Sequence, residues 1–185
     1  KGYLGKGWIV EACNGHVQDL PSGNGSKQRS KAMWAASKGE LPEPPWDWTD
    51  GAERVVNTIL ARARKSGVED VYIATDPDRE GEAIASHLAT EIPEEKLDRV
   101  QFTEITKAGI NEGINNVRDI NHDLVAAQTA RRVIDRLVGY KVSPVLWATL
   151  QSNMNFVSTN LSAGRVQSAA VKMIVDQDRL RAKFI

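Results

Sequence analysis

A short apolar run followed directly by acidic residues lies in the middle of the sequence: Val71-Tyr72-Ile73-Ala74-Thr75-Asp76-Pro77-Asp78-Arg79-Glu80-Gly81-Glu82. The run from Val71 to Thr75 has the length of a buried parallel strand. One helix is predicted after it, from about Glu80 to Thr90, and another before it, beginning near Gly51. The buried stripe of the earlier helix is predicted to comprise Val55, Ile59, Leu60 and Ala63. Strands that alternate with helices are typical of a doubly wound α/β sheet.

The segments before the first predicted helix are less regular. Residues Gly7–Ala12 alternate enough to predict a strand, whereas Pro21–Ser26 is rich in turn-forming residues and predicts a loop. Consecutive prolines in Leu41–Trp48 exclude helix and predict an extended segment.

From Lys107 onward the pattern is helical. Helices are predicted over Ala108–Val117, Leu124–Tyr140, Ser143–Leu150 and Ala163–Lys183. The charge changes sign in the same region: residues 1–123 carry 15 Lys and Arg against 21 Asp and Glu, whereas residues 124–185 carry 9 against 3. We therefore predict two domains, residues 1–115 and residues 116–185, with the boundary near Asn115–Asn121.

The composition excludes several classes of protein. The chain has 185 residues with 24 basic and 24 acidic side chains, and its apolar runs are far shorter than the ~18 residues that a membrane span needs. The single cysteine, Cys13, cannot form an internal disulfide, which favours a reducing cytoplasm. Because the chain begins at Lys1 with neither a methionine nor a signal sequence, we interpret it as a fragment.

The acidic residues after the central strand are the strongest candidates for a site. Ligands in open α/β sheets bind at the carboxyl ends of the strands. Asp76 and Asp78 are two residues apart and can point to the same side, where Glu80 can join them from the helix. Crowded carboxylates need a cation, and oxygen ligands suit magnesium. Arg79 adds a charge that can hold a phosphate oxygen. The alternative is that these acids only stabilise a helix N-terminus.

A second candidate is the helix that contains Gln128–Tyr140. At helical spacing Arg132, Arg136 and Tyr140 share one face, and the buried side is predicted to comprise Ala127, Ile134 and Leu137. Guanidinium groups bind phosphates and tyrosine stacks on bases, so single-stranded nucleic acid is the expected ligand. The alternative is a surface helix with an ion pair between Arg131 and Asp135.

Two smaller signals remain. The segment Leu161–Ser168 places small and polar residues at the start of the last helix, where free N–H groups and Arg165 can bind phosphate. A serine N-cap is the alternative. His16 follows the first predicted strand and can donate to a phosphate, although a lone histidine is more often structural.

These blocks, in order, resemble the type IA DNA topoisomerases, the topoisomerase I family. The matching blocks are Gly15–Pro21, Asp76–Ala83, Phe102–Thr106, Ala127–Pro144 and Leu161–Ser168. The resemblance implies a Toprim domain, which is a Rossmann-like and mostly parallel sheet with flanking helices, here lacking its first strand. It also implies that the helical region lines a groove for single-stranded DNA.

The resemblance assigns roles to individual residues. Asp76, Asp78 and Glu80 are the implied magnesium ligands, and Arg79 joins them as a catalytic residue. Contacts to DNA are implied for His16, Arg131, Arg132, Asp135, Tyr140, Trp147, Ser162, Ala163, Gly164, Arg165, Val166 and Gln167, to which the helical spacing adds Arg136. The implied activity is magnesium-dependent, ATP-independent relaxation of negatively supercoiled DNA through a 5′-phosphotyrosine.

The sequence also departs from the family pattern. The upstream Glu-Ser-Pro-x-Lys motif is not present, and Tyr3, Tyr72 and Tyr140 all lie outside the context of the family's nucleophilic tyrosine. The stretch Gln151–Asn160 is longer than expected. We therefore predict a monomeric, inactive part of such an enzyme. The alternatives are a Toprim nuclease or primase, a DNA-binding module without catalysis and, more distantly, an Asp-x-Asp glycosyltransferase.

Overall fold

The computed structural model describes residues 2–21, 46–65, 67–93, 96–153 and 161–184. Four strands and five helices lie in these ranges. They are β1 (Gln18–Asp19), β2 (Asp47–Trp48), α1 (Ala52–Ala63), β3 (Val71–Ile73), α2 (Arg79–Ala89), β4 (Leu97–Arg99), α3 (Lys107–Asn115), α4 (His122–Asn153) and α5 (Arg165–Ala182). A small parallel sheet, its flanking helices and a helical region after them confirm the predicted α/β class.

The parallel strands are joined through α2. β3 pairs with β4 in parallel, with Val71 opposite Leu97 and Ile73 opposite Arg99. Parallel neighbours require a crossover connection, and α2 provides it. β3 is shorter than the predicted strand because β4 offers ladder partners only as far as Arg99.

The other two strands form an antiparallel pair, β1 with β2. β2 falls within the predicted extended segment Leu41–Trp48, whose residues 41–45 lie outside the described residues. All of the predicted loop Pro21–Ser26 after Pro21 lies outside them as well.

The hydrophobic core lies among β3, α1 and α2. Its buried members include Val17, Val56, Leu60, Ile73, Ala85 and Leu88. In α1 the buried residues are Ala52, Val56, Leu60 and Ala63. The prediction is correct for Leu60 and Ala63, but Val55 and Ile59 are only half-buried and flank the stripe. One residue along a helix rotates a side chain by about 100°, so neighbouring apolar positions cannot all face the core.

The predicted strand over Gly7–Ala12 is wrong. These residues pair with no strand among the described residues, and Ile9 and Val10 are exposed. The segment is held by side chains instead: Trp8 lies against Tyr72 with ring centroids 5.5 Å apart, and Arg62 forms an ion pair with Glu11. Alternating polarity predicts a strand only where a neighbouring strand supplies ladder hydrogen bonds, and this segment has none in the described structure.

The prediction of two helices, Leu124–Tyr140 and Ser143–Leu150, is also wrong, because α4 is continuous over 32 residues with Pro144 inside it. A proline removes one helical hydrogen bond and usually ends or kinks a helix. Contacts to the segment after the helix hold its second half: Trp147 Nε1 donates to Leu161 O at 2.5 Å, and Ser143 Oγ accepts from Ala163 N at 2.9 Å.

A buried ion pair connects α2 to β4. Glu82 is fully buried and Arg99 is 2% exposed. Arg99 Nη2 donates to Glu82 Oε1 at 2.8 Å and to Asp76 O at 3.0 Å, while Nη1 donates to Ile73 O at 3.2 Å and to Val100 O. The guanidinium group therefore bonds to the end of β3, to the residue that follows β4 and to Asp76 in the loop between β3 and α2.

The second oxygen of the same carboxylate reaches the helical region. Asn121 N donates to Glu82 Oε2 at 2.9 Å, and Asn121 Oδ1 in turn accepts from Leu124 N at 3.1 Å at the start of α4. Gln101 Nε2 donates to Glu82 Oε1 at 2.8 Å. One buried carboxylate therefore connects the sheet to the first turn of α4.

Replacing one member of this pair is expected to destabilise the protein strongly. Glu82→Leu or Arg99→Met should each lower the free energy of unfolding by about 3–5 kcal/mol, since the remaining charge stays buried without its partner. The double variant should lose less than the sum of the two. Urea denaturation measures all three, and Lys172→Met, which breaks an exposed ion pair with Asp176, is the control with an expected loss below about 1 kcal/mol. Single-variant losses as small as the control's would contradict the role of the pair.

His87 gives the fold a pH dependence. The residue is buried in α2, its ring meets Trp46 edge-on at 4.7 Å, and its Nδ1 has no hydrogen-bond partner among the described residues. Burial lowers the pKa of His87, the nearby His16 lowers it further, and Asp19 opposes the shift. The folded protein therefore binds the His87 proton more weakly than the unfolded chain does.

The stability from neutral His87 should be fully present above its unfolded pKa of about 6.5 and should be lost as the pH falls through that value towards the lower folded pKa. The free energy of unfolding, measured by urea denaturation from pH 7.5 to pH 5, should therefore decrease. His87→Leu should reduce this decrease, whereas His122→Gln, at the exposed start of α4, should leave it in place. An unchanged pH profile in His87→Leu would assign the dependence to other groups.

Candidate metal and nucleic-acid site

The acidic loop, residues 75–78, leads from β3 into α2 and is held tightly to the first turn of that helix. Asp78 has an extended backbone and caps the helix, since its Oδ1 accepts from Gly81 N at 2.7 Å. Thr75 Oγ1 donates to Gly81 O at 2.6 Å. A Cβ atom at position 81 would lie 2.0 Å from Asp76 O. Glycine is therefore the residue that lets the loop approach the helix.

The three predicted magnesium ligands have different surroundings. Asp76 and Asp78 are exposed, whereas Glu80 is half-buried. Glu80 Oε2 accepts two hydrogen bonds, from His16 Nε2 at 2.8 Å and from Gln128 Nε2 at 2.6 Å. The carboxylate of Glu80 is thereby held against the first block of the sequence and against α4.

The described residues contain no group of three His, Cys, Asp or Glu side chains placed to hold a metal ion. In this structure Asp78 caps α2 through Oδ1, and Glu80 accepts hydrogen bonds from His16 and Gln128 through Oε2. The donors still fit magnesium in kind, since Asp78 Oδ2 and Glu80 Oε1 bond to no other described residue and carboxylate oxygen is its preferred ligand. The magnesium assignment stays a prediction.

Arg132 and Arg136 face the first domain. Arg132 Nε donates to Asp19 Oδ1 at 2.7 Å, and its Nη2 pairs with Asp19 Oδ2. Arg136 donates to Pro21 O at 2.6 Å and to Leu20 O at 3.2 Å. The shared face that was predicted for these cations is present, but it packs against residues 19–21.

The buried side predicted for α4 is consequently wrong. Val133 and Gln128 are buried, Ala127 is exposed, Ile134 is 44% exposed and Leu137 is half-buried. The packed face of α4 is largely polar because Gln128, Arg132 and Arg136 each find a hydrogen-bond partner on the first domain. A search for an apolar stripe cannot detect such a face.

The contact between Asp19 and Arg132 also shifts the pKa values of both groups. Burial raises the pKa of Asp19, but the hydrogen bond and charge of Arg132, the Leu20 amide and the charge of Arg136 together hold it below its usual value. The same hydrogen bond to Asp19 raises the pKa of Arg132 against the effect of burial, and the charge of Glu80 contributes. The guanidinium group of Arg132 therefore interacts electrostatically with the carboxylate of Glu80.

A third group links α4 to the start of α5. Arg165 Nε donates to Asp135 Oδ1 at 2.7 Å, and Arg131 Nε lies 3.6 Å from Asp135 Oδ2. The Arg165 hydrogen bond, opposed by slight burial, and the charges of both arginines lower the pKa of Asp135. The ion pair between Arg131 and Asp135 is thus present, as the alternative to a DNA-binding face required, but Arg165 shares it.

The segment Ser162–Gln167 is mostly exposed. Ala163 is buried, Val166 is exposed, and Ser162 Oγ lies 3.2 Å from Gln167 Oε1. Gly164 begins α5 without a side-chain cap, so the alternative of a serine N-cap is wrong. Tyr140 and Trp147 are half-buried on α4, and Trp147 contacts Leu161 of the preceding segment.

The structure adds residues to which the sequence had assigned no separate role. Glu82 was quoted only as the end of the acidic stretch after β3. It lies two residues after Glu80 on a helix, so its side chain must point to nearly the opposite side from that of Glu80. Arg99 is a single charge outside the five blocks, and Asp19 was quoted only as part of its block. Gln128 was quoted only as part of its block. The helical period is the one sequence signal that could have predicted any of these roles, and it does so for Glu82 alone.

Comparison with known protein families agrees with this arrangement. The sequence model of the Toprim domain matches residues 1–106, and that of a DNA topoisomerase family matches residues 119–185. The first match covers more than half of the chain, so the class of the N-terminal part is the Toprim domain. With both regions in this order, the chain belongs to the type IA DNA topoisomerases, as the five sequence blocks predicted. Proteins of this family act on DNA. The matches do not decide the predicted boundary between residues 115 and 116, which stays a prediction.

None of the helices in the described ranges is both long and apolar enough to cross a membrane.

The close approach at Gly81 makes a direct test of the acidic loop. Gly81→Ala should destabilise the protein by about 1–3 kcal/mol, because the new methyl group overlaps Asp76 O and the loop must move. Gly139→Ala is the matched control, since a Cβ atom there would lie 3.8 Å from Ala163 O, an ordinary contact, and alanine favours a helix interior by about 0.5–1 kcal/mol. Thermal unfolding compares the two. Equal effects would show that the loop does not need its contact with α2.

Proposed function

We propose that this chain supplies the magnesium-binding and single-strand-binding parts of a type IA topoisomerase that relaxes negatively supercoiled DNA. The reaction would cleave one strand, pass the other and reseal the break through a 5′-phosphotyrosine without ATP. The observation that carries the proposal is the hydrogen bond of 2.6 Å between Gln128 on α4 and Glu80 in the first turn of α2. Carboxylates suited to a metal and arginines suited to phosphate meet at this one junction.

In this proposal Asp76, Asp78 and Glu80 hold magnesium, which supplies charge neutralisation at a DNA phosphate when bound. Arg79 is exposed at the first position of α2 and forms no hydrogen bond or ion pair with another described residue. Its guanidinium group is therefore available to a phosphate oxygen beside the carboxylates. His16 keeps Glu80 in place and is proposed to contact DNA from the same position.

The proposed DNA-binding face lies on α4 and at the start of α5. It comprises Arg131, Arg132, Asp135, Arg136, Tyr140, Trp147 and the segment Ser162–Gln167. Nearly half of the Arg132 side chain is exposed, at 47%, so it can contact a phosphate while it holds Asp19. Arg136 donates to two backbone carbonyl groups and is proposed to act mainly by positioning residues 20 and 21.

We propose that none of the three tyrosines is the nucleophile. Tyr3 is exposed near the start of the chain, and Tyr140 lies half-buried in α4. Burial raises the pKa of Tyr72, and Asp70 and Asp98 raise it further, which is opposite to the activation that an attacking hydroxyl requires. The chain by itself should therefore bind DNA without relaxing it. A monomeric state and a cytoplasmic location belong to the same proposal.

Two other functions would use parts of this site. A Toprim nuclease or primase would need no topoisomerase region, and the match over residues 119–185 argues against it. A DNA-binding module without a metal would bind DNA equally well with and without Asp76 and Asp78. A glycosyltransferase leaves the arginines of α4 without a role.

Single-strand binding is tested by fluorescence anisotropy with a short oligonucleotide over a salt series. Arg79→Ala should reduce the slope of log affinity against log salt by about 0.7, the value for one phosphate contact on a single strand. Tyr140→Ala should cost about 1–3 kcal/mol of stacking and leave the slope unchanged. Arg64→Ala, which removes an exposed cation after α1, is the control and should change neither.

The same preparation separates the proposed function from its alternatives. A supercoiled plasmid should remain unrelaxed with the chain and magnesium, and relaxation by the pure chain would mean that one of its own residues is the nucleophile. An anisotropy slope that Arg79→Ala leaves untouched would show that Arg79 does not contact a phosphate.

A further inference from the structure

Gln128 is a buried polar side chain whose hydrogen bonding is only half satisfied. The residue is 6% exposed on α4. Its Nε2 donates to Glu80 Oε2 at 2.6 Å, while its Oε1 is buried and has no partner among the described residues. Burying an amide oxygen without a partner costs free energy, so a glutamine at this position requires a reason other than packing.

The position of Gln128 is determined from both sides. Before it, Asn121 N bonds to Glu82 Oε2 at 2.9 Å at the start of α4, and after it, one and two turns along the helix, Arg132 and Arg136 bond to residues 19–21. α2 and α4 are also the most extensively packed pair of described elements. The amide of Gln128 therefore has little freedom relative to α2, which carries Glu80.

The hydrogen bond from Gln128 is the shorter and the more buried of the two that the Glu80 carboxylate accepts. His16, the other donor, is exposed to solvent, and its Nε2 lies 2.8 Å from the same oxygen. Gln128 approaches from the buried side, where a hydrogen bond to an ionised group is weakened less by water. Its contact leaves Glu80 Oε1 without a bond to any described residue.

We propose that Gln128 is a positioning residue for the proposed magnesium ligands Asp76, Asp78 and Glu80. Its side-chain amide sets the orientation of the Glu80 carboxylate and thereby the affinity of the three carboxylates for magnesium. The inference rests on the proposed function, since it concerns the same metal ligands. In this proposal α4, which lies in the region matched by the DNA topoisomerase family, contributes no metal ligand. It orients one, Glu80, through the hydrogen bond from Gln128. Hydrogen-bond partners that orient a metal ligand typically change metal affinity 10–100-fold when they are removed.

Isothermal titration calorimetry with magnesium chloride on the full chain tests this inference. Gln128→Met removes the donor and keeps most of the volume, and the magnesium dissociation constant should rise about 10–100-fold. Gln128→Ser, which is too short to reach Glu80, should give the same increase and serves if the methionine variant folds poorly. Gln101→Met is the matched control, because Gln101 donates to the buried Glu82 at 2.8 Å and not to Glu80.

The control separates positioning from a loss of stability. Each glutamine-to-methionine variant loses one part-buried hydrogen bond to a carboxylate, and Gln101→Met also loses an exposed one from Arg118. Both variants should unfold at lower temperatures than the wild type, but only the Gln128 variants should bind magnesium more weakly. Single-strand affinity measured in EDTA should be the same in all of them. Equal magnesium dissociation constants in wild type and Gln128→Met, or an equal rise in Gln101→Met, would overturn the inference.

The proposed function is tested separately in the same titrations by Asp76→Asn with Asp78→Asn. If that double variant loses magnesium binding while Gln128→Met binds as the wild type does, the metal site stands and only the role of Gln128 is wrong. If the wild type itself binds no magnesium, both the metal site and the role of Gln128 are wrong.

Discussion

The buried pair of Glu82 and Arg99 is the interaction on which the rest of the described structure depends. A charged pair in a dry interior is costly unless every remaining donor and acceptor is satisfied, and here the guanidinium group bonds to backbone carbonyls of β3, of the acidic loop and of the residue after β4. The carboxylate uses its second oxygen on the backbone of Asn121. These geometric demands hold the strand ends, the acidic loop and the start of α4 in one arrangement, so the site inherits its geometry from a structural ion pair.

The junction between the two family regions is built from hydrogen bonds. Gln128, Arg132 and Arg136 lie on one face of α4 and bond to Glu80, Asp19 and the carbonyls of residues 20 and 21. Such an interface specifies orientation more sharply than apolar contact, because each bond requires a particular atom at a particular distance. It also brings the positive charge of Arg132 within electrostatic reach of Glu80.

Under the proposed function the acidic loop serves two purposes with the same residues. Asp78 caps α2, and Gly81 permits the loop to pass within contact of the helix, so the loop is a structural element before it is a ligand set. Asp76 and Arg79, by contrast, are exposed and offer their side chains to solvent. Replacing Asp78 would therefore remove the cap of α2 as well as a proposed metal ligand.

Sequence by itself determined the elements that depend on local pattern. The apolar run at Val71, the helix after Asp78 and the family all follow from residue order, since a strand period, a capping aspartate and a motif are encoded within a few neighbouring positions. Tertiary structure alone decided the partners: that α4 continues through Pro144, that its buried face is polar, and that Glu80 bonds to Gln128 48 residues away. A periodic pattern shows which side of a helix is apolar, but a buried polar side chain reveals itself only when the distant atom that satisfies it is in place.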